Sequence, residues 1–174
     1  SNDYPLQTAP EAARGIQLRR DATSGCYYKP TANSIPQWQV HRWVTDPLAS
    51  DFKMSGQVTL DISVRTIKVP TTGSLCVYLF DRSETSDVLL TNKVGGAGYW
   101  QSTPTGNGLW PETWFELRVP MTLSAAKTIV SGHRLGLALS VNGNTSADGL
   151  ALMYDHPKYR ARVEVETSTP IDGG

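Results

Sequence analysis

A chain of 174 residues carrying 16 Lys plus Arg against 16 Asp plus Glu has no net formal charge, so it lacks the long-range field that draws a protein to nucleic acid or an anionic membrane. Its length suits one domain around one core. With 39% hydrophobic and 18% charged residues, 15 Gly and 11 Pro, the composition favours many short strands and tight turns over a helical bundle or disorder, and no apolar run reaches the ~18 residues of a membrane span.

The opening Ser1-Asn2 reads as a cloning scar, residues 1–14 as an N-terminal extension, 15–167 as the folded domain and 168–174 as a linker or tail. The chain is therefore expected to be a piece of a longer protein, although its N-terminus shows no basic-then-apolar export signal. The first strand candidate is 15–20, followed by Cys26 beside Tyr27 and Tyr28 and by 37–44, in which Trp38, Val40 and Arg42 alternate with Gln39, His41 and Trp43. Period-two alternation is clearest over 57–65: Val58, Leu60, Ile62 and Val64 face one way, and Thr59, Asp61 and Ser63 the other, the signature of a half-buried strand. After the turn-rich 70–73, the nearly continuous apolar run 74–81 suggests a strand buried on both faces, and the two strands read as a long hairpin. Further candidates are 114–119, 133–140, 150–154 and 162–166, while 123–128 has a helical leaning sufficient for one turn. Many strands of antiparallel pattern without long helices predict an all-β, two-sheet sandwich of the jelly-roll type.

A family pattern runs from about residue 42 to 165. It consists of Arg42-Trp43-Val44-Thr45-Asp46-Pro47-Leu48, then Met54-Ser55-Gly56 and the long alternating strand, then Leu75-Cys76-Val77-Tyr78-Leu79-Phe80-Asp81, then Ser131-Gly132-His133-Arg134-Leu135. In order and content it resembles the C-terminal jelly-roll domain of X-prolyl dipeptidyl peptidases and cocaine-esterase-like hydrolases, a galactose-binding-like sandwich also found in carbohydrate-binding modules and accessory domains of exported bacterial proteins. The resemblance implies a structural role for these segments. It does not carry a catalytic label, because the Gly-x-Ser-x-Gly nucleophile elbow and the α/β domain around it are missing from this chain.

The candidate chemistry is sparse. Three histidines, His41, His133 and His156, lack the spacing that places two imidazoles on one face, so no metal site is expected from them. No serine stands out as a nucleophile, and nothing pairs Asp61, Asp81, Glu112, Glu116 or Asp155 at the separation of glycosidase carboxylates. No cofactor is expected; Asp81 and Asp87 flank a polar loop and are the candidates for a structural calcium, against the plainer reading of a solvated hairpin loop. Cys26 and Cys76 read either as two buried thiols or as one disulfide.

Aromatic rings are the remaining signal, since a flat ring can stack on the apolar face of a sugar while amides bind its hydroxyls. Tyr99, Trp100 and Trp110, with Asn107, lie in or beside the Gly-rich stretches 95–98 and 101–108 and form the candidate ligand platform. The competing reading is that Trp100 and Trp110 seal one end of the sandwich. With the resemblance, these features lead us to expect a non-catalytic accessory module of a larger exported, bacterial, extracellular or cell-surface protein. Its partner is either a glycan or the neighbouring domain of a serine hydrolase.

Overall fold

The computed structural model describes residues 3–5, 14–19, 40–66, 74–90, 100–102, 109–142, 149–154, 158 and 161–167. Twelve strands run through them: β1 (Asp3–Pro5), β2 (Arg14–Arg19), β3 (Val40–Val44), β4 (Phe52–Thr66), β5 (Ser74–Arg82), β6 (Asp87–Leu89), β7 (Trp100–Ser102), β8 (Phe115–Thr122), β9 (Lys127–Ile129), β10 (Arg134–Asn142), β11 (Gly149–Tyr154) and β12 (Ala161–Thr167). They form two six-stranded sheets and the all-β sandwich that the sequence predicts. The first sheet has the order β1-β3-β10-β5-β6, with β7 beside β6 along β5. In the second, β4 is flanked by β8 and β9 on one side and by β12 and β11 on the other, with β2 outside β11. Every pairing is antiparallel except β1 with β3, which is parallel. β1 lies within the stretch read as an N-terminal extension.

Alternation places the core. From β4 come Met54, Val58, Leu60, Ile62 and Val64, from β8 Leu117, Val119 and Met121, and from the facing sheet Leu75, Val77, Leu79, Leu135, Leu137, Leu139 and Val141, all buried between the sheets. β5 is buried on both faces, as its unbroken apolar run implies: Cys76, Tyr78 and Phe80 point away from the inter-sheet core and join Val40, Val44, Ala138 and the half-buried Leu89 in a second apolar layer.

Two expectations fail here. β4 and β5 do not form a hairpin; β4 pairs within the second sheet, whereas β5 pairs with β10, β6 and β7 in the first. The apolar faces of the two strands instead meet across the sandwich, in one inter-sheet core. The helical turn over 123–128 is also absent, because Lys127 to Ile129 is drawn into β9, in register with Phe52 to Met54 of β4.

Two glycines mark where backbone geometry decides. Gly56 has φ 72° and sits at a bulge, with Val165 opposite Val58 but Thr167 opposite Met54, so that two extra residues of β4 are accommodated. Its carbonyl accepts a hydrogen bond from the Leu123 amide at 2.8 Å. Gly136 lies opposite Phe80, and a Cβ there would overlap the Phe80 ring.

Candidate functional site

Of the four residues proposed as a ligand platform, Tyr99 and Asn107 lie outside the described residues, and Trp100 is described only by its backbone, which opens β7 in register with Val77. Trp110 is described in full and is 2% exposed, packed into the inter-sheet core. Just beyond it, the Pro111 carbonyl accepts the Thr66 amide at 2.9 Å, holding this segment against the end of β4. A ring so covered has no face to offer a sugar, so Trp110 seals the sandwich and drops out of the platform.

The two carboxylates considered for calcium point to different partners. Asp87 receives both the Nε and NH2 groups of Arg82, at 2.7 and 2.8 Å, and the same guanidinium lies 5.2 Å over the Phe80 ring. Asp81 instead bonds His133 Nδ1 at 2.8 Å. The loop between them closes on itself through Ser83, whose amide donates to the Ser86 carbonyl at 2.9 Å and whose hydroxyl accepts the Ser86 amide at 3.1 Å. Among the described residues no group of three His, Cys, Asp or Glu could hold a metal ion.

The His133 and Asp81 pair belongs to a dense clip at one end of the sandwich. Segment 45–51 is fastened to the turn before β10: Thr45 N donates to the Leu135 carbonyl at 2.9 Å, Leu135 N donates to Thr45 Oγ1 at 3.0 Å, and Arg134 NH1 reaches the Thr45 carbonyl at 2.8 Å. The Leu48 amide donates to the His133 carbonyl and the Gly132 amide to the Leu48 carbonyl, each at 2.8 Å, and Ser131 N donates to Asp51 Oδ1 at 2.8 Å. Gly132, at φ 85°, makes the turn possible. A carboxylate on Nδ1 is also how an acid–base relay holds its imidazole. Here, however, the nearest serine along the chain, Ser131, gives its hydroxyl to the Ala49 carbonyl at 3.1 Å, and the arrangement does the work of a clip. The resemblance marked these segments as structural, and the geometry gives the reason.

Two buried ionisable groups stand apart. His41 is 1% exposed, on the inward side of β3 opposite Leu139, with its ring 4.4 Å from that of Trp43 in an edge-on contact. Burial lowers its pKa from 6.5 to about 4, which keeps it neutral in neutral solution. Asp61 is likewise 1% exposed, although it sits on the outward, polar side of β4. It is roofed by Arg162 from β12, whose Nε donates to Oδ2 at 3.1 Å, and by Arg118 from β8 at 3.5 Å, while Glu164 holds Arg162 NH2 at 2.6 Å. Sequence reading placed Asp61 on a solvent face. The face is right, but the flanking arginines were not seen to close over it, and the alternating charges of 116–118 and 162–164 were the available signal.

Cys76 is fully buried and disulfide-bonded; Cys26 lies outside the described residues.

No family model matches the chain, and no curated protein sequence does. Solved structures do. An aminopeptidase from a marine sediment archaeon, Thaumarchaeota archaeon, matches 94% of this chain with a TM-score of 0.63 at 13% identity. A CocE/NonD family hydrolase from Staphylococcus aureus matches 93% with a TM-score of 0.62 at 11% identity, and an α-amino acid ester hydrolase matches 95% with a TM-score of 0.60 at 10% identity. In each case the match takes up 34% of the other chain, so this sequence spans about a third of their length. At such identities the likeness is one of fold, and it agrees with the resemblance carried by the sequence: this sandwich has the fold of a domain that makes up about a third of these hydrolases.

Proposed function

We propose that the chain is the non-catalytic β-sandwich domain of an esterase- or peptidase-like serine hydrolase, supporting a catalytic domain outside this sequence. One observation carries the reading: nearly the whole chain, 93–95%, is matched within about a third of each hydrolase. The described chemistry fits it, since the half-buried imidazole of His133 is spent on the clip and no nucleophile elbow occurs in the sequence. An exported location is part of the proposal, supported by the buried disulfide-bonded Cys76, because disulfides persist in oxidising compartments.

The test compares this 174-residue chain with its complete reading frame, using a fluorophosphonate probe and hydrolysis of an activated ester. The complete protein is expected to label at a serine and turn over, and the sandwich alone to do neither. Saturable hydrolysis by the sandwich, or a complete protein without a probe-reactive serine, overturns the proposal. Glycan binding is the finer alternative from the sequence, and its remaining candidate residues are Tyr99 and Asn107, which lie outside the described residues, and Trp100, which opens β7. A glycan array read with Trp100→Ala beside the parent decides it.

A further inference from the structure

The two ends of the sandwich are finished differently. β4 runs from Phe52 to Thr66. At the Thr66 end the core is sealed by the buried Trp110, next to the Pro111 carbonyl that holds Thr66. At the Phe52 end the inter-sheet core is closed by Leu48 and Phe52, and both are only partly buried. Apolar surface therefore runs from the core out to solvent at this end.

The same end carries exposed apolar groups. Among the described residues three large apolar side chains are well exposed: Val88 at 59%, Val130 at 43% and Phe115 at 42%. Phe115 lies opposite Val64, toward the Thr66 end, whereas Val130 follows Ile129, which is opposite Phe52. Val88 is reached through the clip: it lies opposite Asp81, Asp81 bonds His133, and the His133 amide returns to the Val130 carbonyl at 3.0 Å. Leu48 is tied to the same turn, and Pro47 and Ala49 beside it are exposed. Val88, Val130 and segment 47–49 thus surround the half-buried His133 in one band across the end. Apolar residues exposed together, rather than scattered singly, mark a surface that another body covers. The clip holds this band in place, and a surface already ordered loses little side-chain and loop freedom when it is covered.

We infer that this end of the sandwich, with Leu48, Val88 and Val130 around the His133 and Asp81 pair, is the docking face for the catalytic domain of the same polypeptide. The inference rests on the proposed function and adds which surface does the supporting. Two grounds make a neighbour in the same chain the occupant. About two thirds of each matched hydrolase lies outside the domain that this chain matches, so the proposed catalytic body is the larger one and is covalently present. The band is also small. A second copy would need roughly 1,200 Å² of buried surface to hold stably, whereas a domain on a short linker is present at an effective concentration on the order of millimolar and is held by a modest contact.

Thermal unfolding of Val88→Glu and Val130→Glu, each made in the isolated sandwich and in the complete reading frame, tests the docking face, with Phe115→Glu as the reference at the other end. On an exposed residue the new charge is expected to move the isolated sandwich's midpoint by less than about 2 °C. In the complete protein a glutamate at Val88 or Val130 is pressed against the catalytic domain without a partner. The sandwich's transition is then expected to fall by about 5 °C more than in isolation, whereas Phe115→Glu costs the same in both forms. Equal shifts in the two forms for Val88→Glu and Val130→Glu, or a Phe115→Glu loss as specific to the complete protein as theirs, would overturn the docking face. Because each result is a difference between the two forms, a variant that is merely less stable gives no support. Equal shifts sink the docking face and leave the hydrolase reading in place; a complete protein without a probe-reactive serine sinks that reading itself.

Discussion

His41 is an imidazole where the sandwich has no use for charge. Burial against Trp43 and Leu139 lowers its pKa from 6.5 to about 4, so between those values the unfolded chain takes up a proton that the folded chain refuses. Stability contributed by neutral His41 is therefore complete above pH ~6.5 and is lost as the pH falls, reaching about 3 kcal/mol by pH ~4. Urea unfolding of the parent and of His41→Phe from pH ~7 to ~4 checks this, since only the parent should lose that increment over the window. The same residue shows a limit of local reading. Alternation in 37–44 gave the strand and both its faces, but which face met the opposite sheet was a question of partners, not of sequence neighbours. Trp110 is a parallel case: Gly, Pro and Asn around it are loop chemistry, and only the closing of the sandwich end makes its ring part of the core.

β4 is the element that the sequence reveals best and that the structure changes most. Its alternating face over 57–65 is buried as that pattern requires, yet the strand begins at Phe52, five residues earlier than the alternation, because the bulge at Gly56 lets the chain bend and continue. A side chain at Gly56 must adopt a left-handed conformation and displace Glu166, whose carboxylate also accepts the Gln57 amide at 3.1 Å. Gly56→Ala is accordingly expected to cost about 1–2 kcal/mol in chemical denaturation, with the fold retained. The strands that reading missed are β1, β6, β7 and β9, each three residues long. Such segments carry no periodicity of their own and become strands because a neighbour, β3, β4 or β5, offers them an edge. The assumed hairpin failed for a related reason, since alternation tells which residues share a face and says nothing about which strand lies beside it.

At the scale of the molecule, the buried disulfide at Cys76 fixes β5, the most enclosed strand of the first sheet, to another point of the chain. We propose Cys26 as its partner, closing a long loop that contains β3 and β4. Reduction is expected to destabilise the fold by about 2–5 kcal/mol. Thermal midpoints with and without reductant measure that loss, and a non-reduced peptide map should contain the Cys26 peptide joined to the Cys76 peptide; two free thiols in that map would refute the pairing. The sandwich itself was legible because composition and alternation act over every strand at once, whereas the end-on clip between 45–51 and 131–135 depends on contacts between segments far apart in the chain.

The place of β4 in the second sheet has a consequence for how the protein is made. All four strands that flank it, β8, β9, β11 and β12, follow it in the sequence, the first of them beginning at Phe115. On the ribosome β4 therefore emerges with the edges that these strands fill unmatched, and they stay so while about fifty further residues are synthesised, roughly three to ten seconds at ordinary elongation rates. Ladders closed over such separations form slowly even in the finished chain. The second sheet is thus assembled late, from the C-terminal half inward onto a strand that has been waiting, and the nascent chain is most exposed to misassociation during that interval.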